Sequence, residues 1–189
     1  MIFKRFFDYL LVLVFAIPIA IILFPVIAVL IRLTSSGPVI YWSKRVGKDN
    51  QLFDMPKFRT MRVDTPAVAT HLISDPSSYL TPIGGFLRRS SLDEIPQIWS
   101  IISGNMSIVG PRPALFNQED LVQLRTECRV STLLPGLTGW AQVNGRDTVS
   151  VREKVVLDYF YMENWSLWLD LKIMVLTVSK IFRDDNVSH

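Results

Sequence analysis

The sequence predicts an α/β domain attached to a membrane through its N-terminus, and three observations carry that expectation. The run Leu10–Ile31 contains no charged residue and is long enough to cross a bilayer as a helix. Val39–Val46 and Gln51–Met61, rich in β-branched and aromatic residues, flank Gly47-Lys48-Asp49-Asn50, the composition of a β-hairpin and its turn. The remainder alternates helical stretches with glycine- and proline-marked loops, and its strands are too few and irregular for a doubly wound sheet. Residues 1–36 are read as the membrane helix and 37–189 as one domain on the aqueous side, compact and served by amphipathic helices lying in the interface.

The apolar run is interrupted by Pro18 and Pro25 and has basic residues on both sides: Lys4 and Arg5 before it, Arg32, Lys44, Arg45 and Lys48 after it. A spanning helix shows an asymmetry, because cytoplasmic flanks retain Lys and Arg. Bases on both flanks with breakers between them predict a re-entrant helix that enters and leaves on the cytoplasmic face, bending near Phe24-Pro25. A spanning helix is the alternative; a signal peptide is disfavoured by the length of the run and by the lack of a small-x-small cleavage site. Composition agrees with membrane association. Hydrophobic residues make up 49% of the 189, and mean hydropathy is +0.29, high for a soluble chain. A net charge of +3 and a pI near 9.1 favour acidic partners. One cysteine, Cys128, excludes an internal disulfide, and two histidines, His71 and His189, cannot build a multi-histidine metal site.

In the hairpin's return strand Lys57 and Arg59 share a face about 7 Å apart, a spacing that suits two cations along one diphosphate. Protection of an edge strand is the plain alternative, and Pro56 marks an edge. Asp64–Pro82, with Pro66, Pro76 and Pro82, reads as a loop long enough to cover a site.

The chemistry concentrates between Arg88 and Pro113, in R-R-S-S-L-D-E-I-P-Q-I-W-S-I-I-S-G-N-M-S-I-V-G-P-R-P. Ser91 and Glu94 have the spacing of a capping box, which sets the adjacent carboxylates of Asp93 and Glu94 near a helix start, where phosphate is also favoured. Two neighbouring like charges call for a cation, and Mg²⁺ is a hard, oxygen-preferring candidate. Arg88 and Arg89 precede the pair. Arg112 stands between Pro111 and Pro113, on a backbone both prolines restrict, so its planar fork would lose less entropy on meeting phosphate oxygens. Without that context, Asp93 and Glu94 are simply the first-turn acids of a soluble helix.

Further on, Asn117–Val130 reads as a scaffold helix with Glu119, Asp120, Arg125, Glu127 and Arg129 on its wet sides. Pro135-Gly-Leu-Thr-Gly-Trp-Ala-Gln-Val-Asn-Gly-Arg146 follows. Its glycines permit close approach of backbone to a ligand, and on a short strand Gln142, Asn144 and Arg146 would point to one side. This is neither a Walker A loop nor a dinucleotide fingerprint. Ser150 and Glu153 form a second capping-box pattern, opening a helix that carries Asp158 among large apolar residues. An ionised carboxylate there needs an arginine or a metal, unless it faces the surface. Trp165–Phe182 is apolar but charged at Asp170, Lys172 and Lys180, a pattern for a helix in the membrane interface or one packed on the core.

S-L-D-E-I-P-Q, G-N-M-S-I-V-G-P-R-P and P-G-L-T-G-W-A-Q-V-N-G-R, in this order, closely resemble the signature runs of the bacterial sugar transferase family, the polyprenyl-phosphate phosphoglycosyl transferases. The chain is similar to the small monotopic type from Lys4 to about Phe182. The resemblance implies transfer of a sugar-1-phosphate from a UDP-sugar to polyprenyl (undecaprenyl) phosphate at the cytoplasmic face of the inner membrane. UMP would be released and membrane glycan assembly begun. It further implies Asp93 as nucleophile of a covalent phosphosugar intermediate, with Mg²⁺ held by Glu94 and Asp93 or Asp158. Lys57, Arg59, Arg88, Arg112 and Arg146 would cradle phosphates, and Gln142 and Asn144 would assist recognition. The compact members suggest an N-acetylated amino sugar over a hexose. Two other readings of the residues stand beside this one: a metal-dependent membrane diphosphate hydrolase, and a non-catalytic adaptor binding anionic lipid. Nucleic acid is disfavoured by the clustered acids and by the lack of an aromatic-basic module.

Overall fold

The N-terminal apolar run folds as helix α1 (Ile2–Leu11), a π-helical turn (Val12–Ala16) and helix α2 (Ile17–Thr34), joined end to end. The computed structural model describes residues 2–66, 75–145 and 149–183. Arg146, His71 and His189 lie outside the described residues. The irregular register falls next to Pro18, in the first turn of α2, where Ile17 N–H donates to Val12 O five residues back. A proline cannot donate its own bond, and a π turn absorbs such a mismatch. Pro25 sits inside α2 without ending it. This stretch is long and apolar enough to cross a membrane.

Both ends of the helical stretch are nevertheless stitched to the rest of the molecule. At its start, Lys4 Nζ reaches Asp170 at 2.6 Å, Arg5 donates to the carbonyls of Met106 and Ile101, and buried Asp8 accepts from Ser107 Oγ at 2.8 Å. In the middle Val12 packs with Met55, Ile101 and Met106. Near its end Ile27 and Ile31 pack with Phe58 and Leu87. The opposite face leaves Phe3, Phe6, Leu13, Phe15, Ile19, Ile22, Val26 and Leu33 exposed, an apolar surface far larger than a soluble monomer shows.

The expected hairpin forms from β1 (Ile40–Val46) and β2 (Leu52–Phe58), antiparallel from Ile40↔Phe58 to Val46↔Leu52. The intervening turn places Asp49 and Asn50 at positive φ, the conformation that Asp and Asn tolerate best among non-glycine residues. A short strand that follows later in the chain pairs with the free side of β1, leaving β2 at the edge of a three-stranded sheet. Pro56 therefore occupies the position where a missing N–H costs nothing.

Between hairpin and C-terminus run α3 (Gly84–Arg89), a 3₁₀ turn (Leu92–Gln97), α4 (Ile98–Ile102), β3 (Ser107–Val109), β4 (Ala114–Leu115), the strand on β1, and α5 (Glu119–Glu127). Then β5 (Gly136–Thr138), parallel to β3, leads into α6 (Trp140–Asn144), α7 (Val151–Glu163) and α8 (Leu167–Arg183). The Ser150–Glu153 capping box forms, with reciprocal bonds at the start of α7. The Ser91–Glu94 box does not: Ser91 adopts a left-handed conformation, its side chain caps nothing, and Pro96 lies within the 3₁₀ turn rather than opening an α-helix. The strand predicted for Gln142, Asn144 and Arg146 is also corrected. Residues 140–144 are helical, so Gln142 and Asn144 point in different directions. The motif's glycines serve close approach, but to backbone: a Cβ on Gly136 or Gly139 would collide with the main chain of Gly110.

Candidate active site

Lys57, near the end of β2, supplies the first cation. Opposite Tyr41 in the register, its side chain crosses the sheet face toward the 3₁₀ turn that carries Asp93 and Glu94. Ser91, at φ 56°, turns the chain sharply between α3 and this turn. A serine held left-handed costs on the order of 1 kcal/mol or more, strain retained only where the surroundings enforce it. The outcome is that Lys57 Nζ lies 3.1 Å from Glu94 Oε1 and 3.8 Å from Asp93 Oδ2. Arg112 Nη2 reaches the same Glu94 oxygen at 2.8 Å. Arg88, on α3, is held through its Nε, which donates to Thr60 Oγ1 at 3.0 Å, and adds positive charge beside Asp93.

The two carboxylates are unequal. Burial pushes Asp93 above its ordinary value; Lys57 opposes the shift and Glu94 adds to it. For Glu94 burial acts in the same sense, but Arg112 and Lys57, charged and hydrogen-bonded to it, outweigh burial and hold it well below the carboxylate range. Glu94 is thus spent on fixing two cations. Asp93, 7% exposed, accepts no hydrogen bond among the described residues and keeps its lone pairs beside positive charge.

The Gly110-Pro-Arg-Pro segment is fastened through its carbonyls. Gly136 N–H donates to Pro111 O, Arg125 Nη1 to Arg112 O at 2.9 Å, and Arg45 Nη1 to Pro113 O at 3.2 Å. Arg45 and Arg125 were missed as site residues. Helical periodicity puts Arg125 on the wet face of its helix, yet it is buried and bonded to Asp158. Arg45, read only as a basic flank, sits on β1 with Ser43 and Tyr41 at alternate positions, on the face shared with Lys57. Its guanidinium is lowered to about 10 by burial and then by Arg112. The alternation on β1 was the signal that could have found it.

Four expected site residues lie elsewhere. Arg59, 5% exposed, leaves the strand after Phe58 and clamps the end of α2, donating to Ser36 O at 2.6 Å, Ser35 O at 3.0 Å and Ser35 Oγ at 2.7 Å. It does not join Lys57, because β2 ends between them and the carbonyls that follow the helix terminus take its N–H groups. Asp158, expected as a metal ligand, is 1% exposed and bound to Arg125 at 2.6 Å; no group of three metal-ligating side chains occurs among the described residues. Asn144 caps Trp140 O on its own helix, and Gln142 Nε2 donates to Leu137 O.

Fold and site together define an α/β domain with a long apolar N-terminal helix, in which a buried carboxylate faces a cluster of cations suited to phosphate. A family model described as "Bacterial sugar transferase" matches residues 1–184, and the chain belongs to that family. It is 39% identical over 191 residues to the "Uncharacterized sugar transferase EpsL" of Bacillus subtilis, covering 100% of this chain and 92% of the relative. It is also 44% identical over 165 residues to the "UDP-glucose:undecaprenyl-phosphate glucose-1-phosphate transferase" of Escherichia coli, over 82% of this chain but 35% of the relative. A Klebsiella pneumoniae protein of the same name is 39% identical over 96% of this chain and 40% of its own length. The chain thus spans less than half of these two longer relatives.

Proposed function

We propose that the chain transfers a sugar-1-phosphate from a UDP-sugar to polyprenyl phosphate at the cytoplasmic face of a membrane, releasing UMP. The observation that carries this reading is the asymmetric pair: Glu94 locked to Lys57 and Arg112, Asp93 beside them and unencumbered. Asp93 Oδ attacks the sugar-bearing phosphorus and the bond to the UMP oxygen breaks, the electron pair leaving with UMP. An oxygen of the polyprenyl phosphate then attacks the same phosphorus, the acyl–phosphate bond breaks, and the Asp93 carboxylate is regenerated. Two displacements replace one direct encounter of bulky anions. Lys57, Arg88 and Arg112 offset charge on the transferring phosphoryl group without reorganising.

Mg²⁺ fits this donor set in the mode where one or two carboxylates combine with substrate phosphates. Glu94 and Asp93 would hold it, Asp158 would not, and it would supply further neutralisation of the diphosphate. Support for a monotopic arrangement comes from the helix α1–α2. Lys4 near its start and Ser35 at its end both bond to residues of one domain, whereas a crossing helix would carry one end to the far side of the bilayer.

The relatives' names specify UDP-glucose, in Escherichia coli and Klebsiella pneumoniae, and UDP-galactose, in Erwinia amylovora, so hexose donors stand beside the N-acetylated amino sugars. The test is a panel of UDP-sugars with undecaprenyl phosphate in detergent or nanodiscs, following UMP. Steady-state release that depends on the lipid phosphate supports transfer. Release that continues without it supports the hydrolase, and no release with any donor supports the adaptor.

A further inference from the structure

We infer that the buried Arg125–Asp158 pair is the positioning device for Arg112, an inference that rests on the transfer reading above. Arg125 comes from α5 and Asp158 from α7, and neither touches the carboxylate pair. Their geometry divides one guanidinium between two tasks. Nε and Nη2 both donate to Asp158 Oδ2, at 3.0 and 2.6 Å, while Nη1 donates to Arg112 O at 2.9 Å.

That third bond falls on a particular stretch of backbone. Pro111 and Pro113 have no N–H to give, which leaves the carbonyls to do most of the fixing, and Arg112 O is the central one. The carbonyl on one side is held by the main chain of Gly136 and the one on the other by Arg45. Holding all three carbonyls aims the Arg112 fork at Glu94, 2.8 Å away. Asp158 orients Arg125 in turn. A lysine could keep the charge pair but lacks the planar fork that serves both acceptors at once.

A purely structural pair would act on stability alone, which separates the two roles experimentally. Replacing a buried ion pair by apolar residues of similar volume is often close to neutral for folding, so the double variant Arg125→Met/Asp158→Leu should keep its unfolding temperature while losing the bond to Arg112 O. Misplacing a positioned group by about 1 Å can cost about a hundredfold in rate, and a loss of this order in kcat/KM is expected. The decisive readout is a cycle with Arg112→Ala. In the wild-type background that change should lower kcat/KM strongly; in the Arg125→Met/Asp158→Leu background it should add less than about threefold, because the guanidinium is already misplaced. Arg125→Lys provides a second background with the charge retained, and the same non-additivity is expected there.

Folded variants with full activity, or Arg112→Ala effects that multiply undiminished in either background, would overturn the inference. If the apolar variant does not fold, the Arg125→Lys cycle decides alone. A wild-type protein that transfers no phosphosugar at all would instead refute the parent reading, an outcome distinct from an active enzyme with additive effects.

Discussion

Two buried carboxylates, Asp158 and Asp93, are built into the molecule in opposite ways. Asp158 is sealed at 1% exposure, and one of its oxygens takes two N–H groups of a single arginine. Asp93 is almost as buried, but its nearest salt-bridge partner, Lys57, stands 3.8 Å away, outside hydrogen-bonding reach. Its neighbour Glu94 absorbs the bonds that Lys57 and Arg112 have to give. A carboxylate doubly bonded to one arginine holds elements together. One that is desolvated, flanked by cations and left without donors is destabilised in its own fold and prepared to react. The contrast separates a residue that holds a scaffold from one that does chemistry; the sequence marks the first as an acid among apolar residues and the second as half of an acidic pair.

The sharpest way to break this comparison is Asp93→Asn. Turnover should fall by roughly 10⁴-fold or more, the scale on which removal of a covalent nucleophile acts, while the variant stays folded; UMP release measures it. Next in size is the stability effect at the other carboxylate. Arg125→Ala leaves Asp158 buried and unpaired, which costs about 3–5 kcal/mol, and for a chain of this size each kcal/mol lowers Tm by roughly 2–4 °C. A thermal melt showing a shift of only a degree or two would mean that Asp158 finds another partner.

A smaller effect, with its sign fixed by linkage, concerns pH. Because the folded Asp93 value is raised above the ordinary 3.8, its protonated form is favoured by folding. The stability it contributes is fully present below pH 3.8 and is lost as pH rises through the folded value. Asp93→Asn should therefore be more stable than wild type near pH 7, with the advantage disappearing as pH falls toward 3.8. Denaturant melts across that range check it, and an advantage that grows on acidification would contradict the assignment. The smallest effect is expected at Arg59. Arg59→Gln should lose about 2 kcal/mol through the bonds to Ser35 and Ser36, with kcat/KM of the folded fraction unchanged. A fall in kcat/KM without loss of stability would return Arg59 to the phosphate strip.

Local pattern made much of the fold readable: the apolar run, the hairpin with its turn, the edge position of Pro56 and the cap at Ser150 are properties of neighbouring residues. The acidic pair and the proline-flanked arginine were legible for the same reason. What stayed hidden depends on pairing across distance. Arg125 lies on a helix whose polar pattern gives no sign that Asp158, 33 residues later, draws it inward. Arg59 keeps strand spacing from Lys57 in sequence, but the strand ends one residue too soon. Gln142 and Asn144 alternate as if on a strand, and the tight approach of Gly139 to Gly110 starts a helix instead. A π turn lies beside Pro18 while Pro25 sits inside α2 without ending it, a difference between the two prolines that sequence does not rank.

The central claim is that Asp93 itself carries the transferred group. Intact-protein mass spectrometry of the purified enzyme, incubated with its UDP-sugar and no lipid acceptor, tests this directly. A gain equal to one sugar-phosphate, mapped to the peptide containing Asp93 and discharged by adding polyprenyl phosphate, is the predicted result. The same gain on Asp93→Asn, or an adduct mapping to another residue, would contradict it.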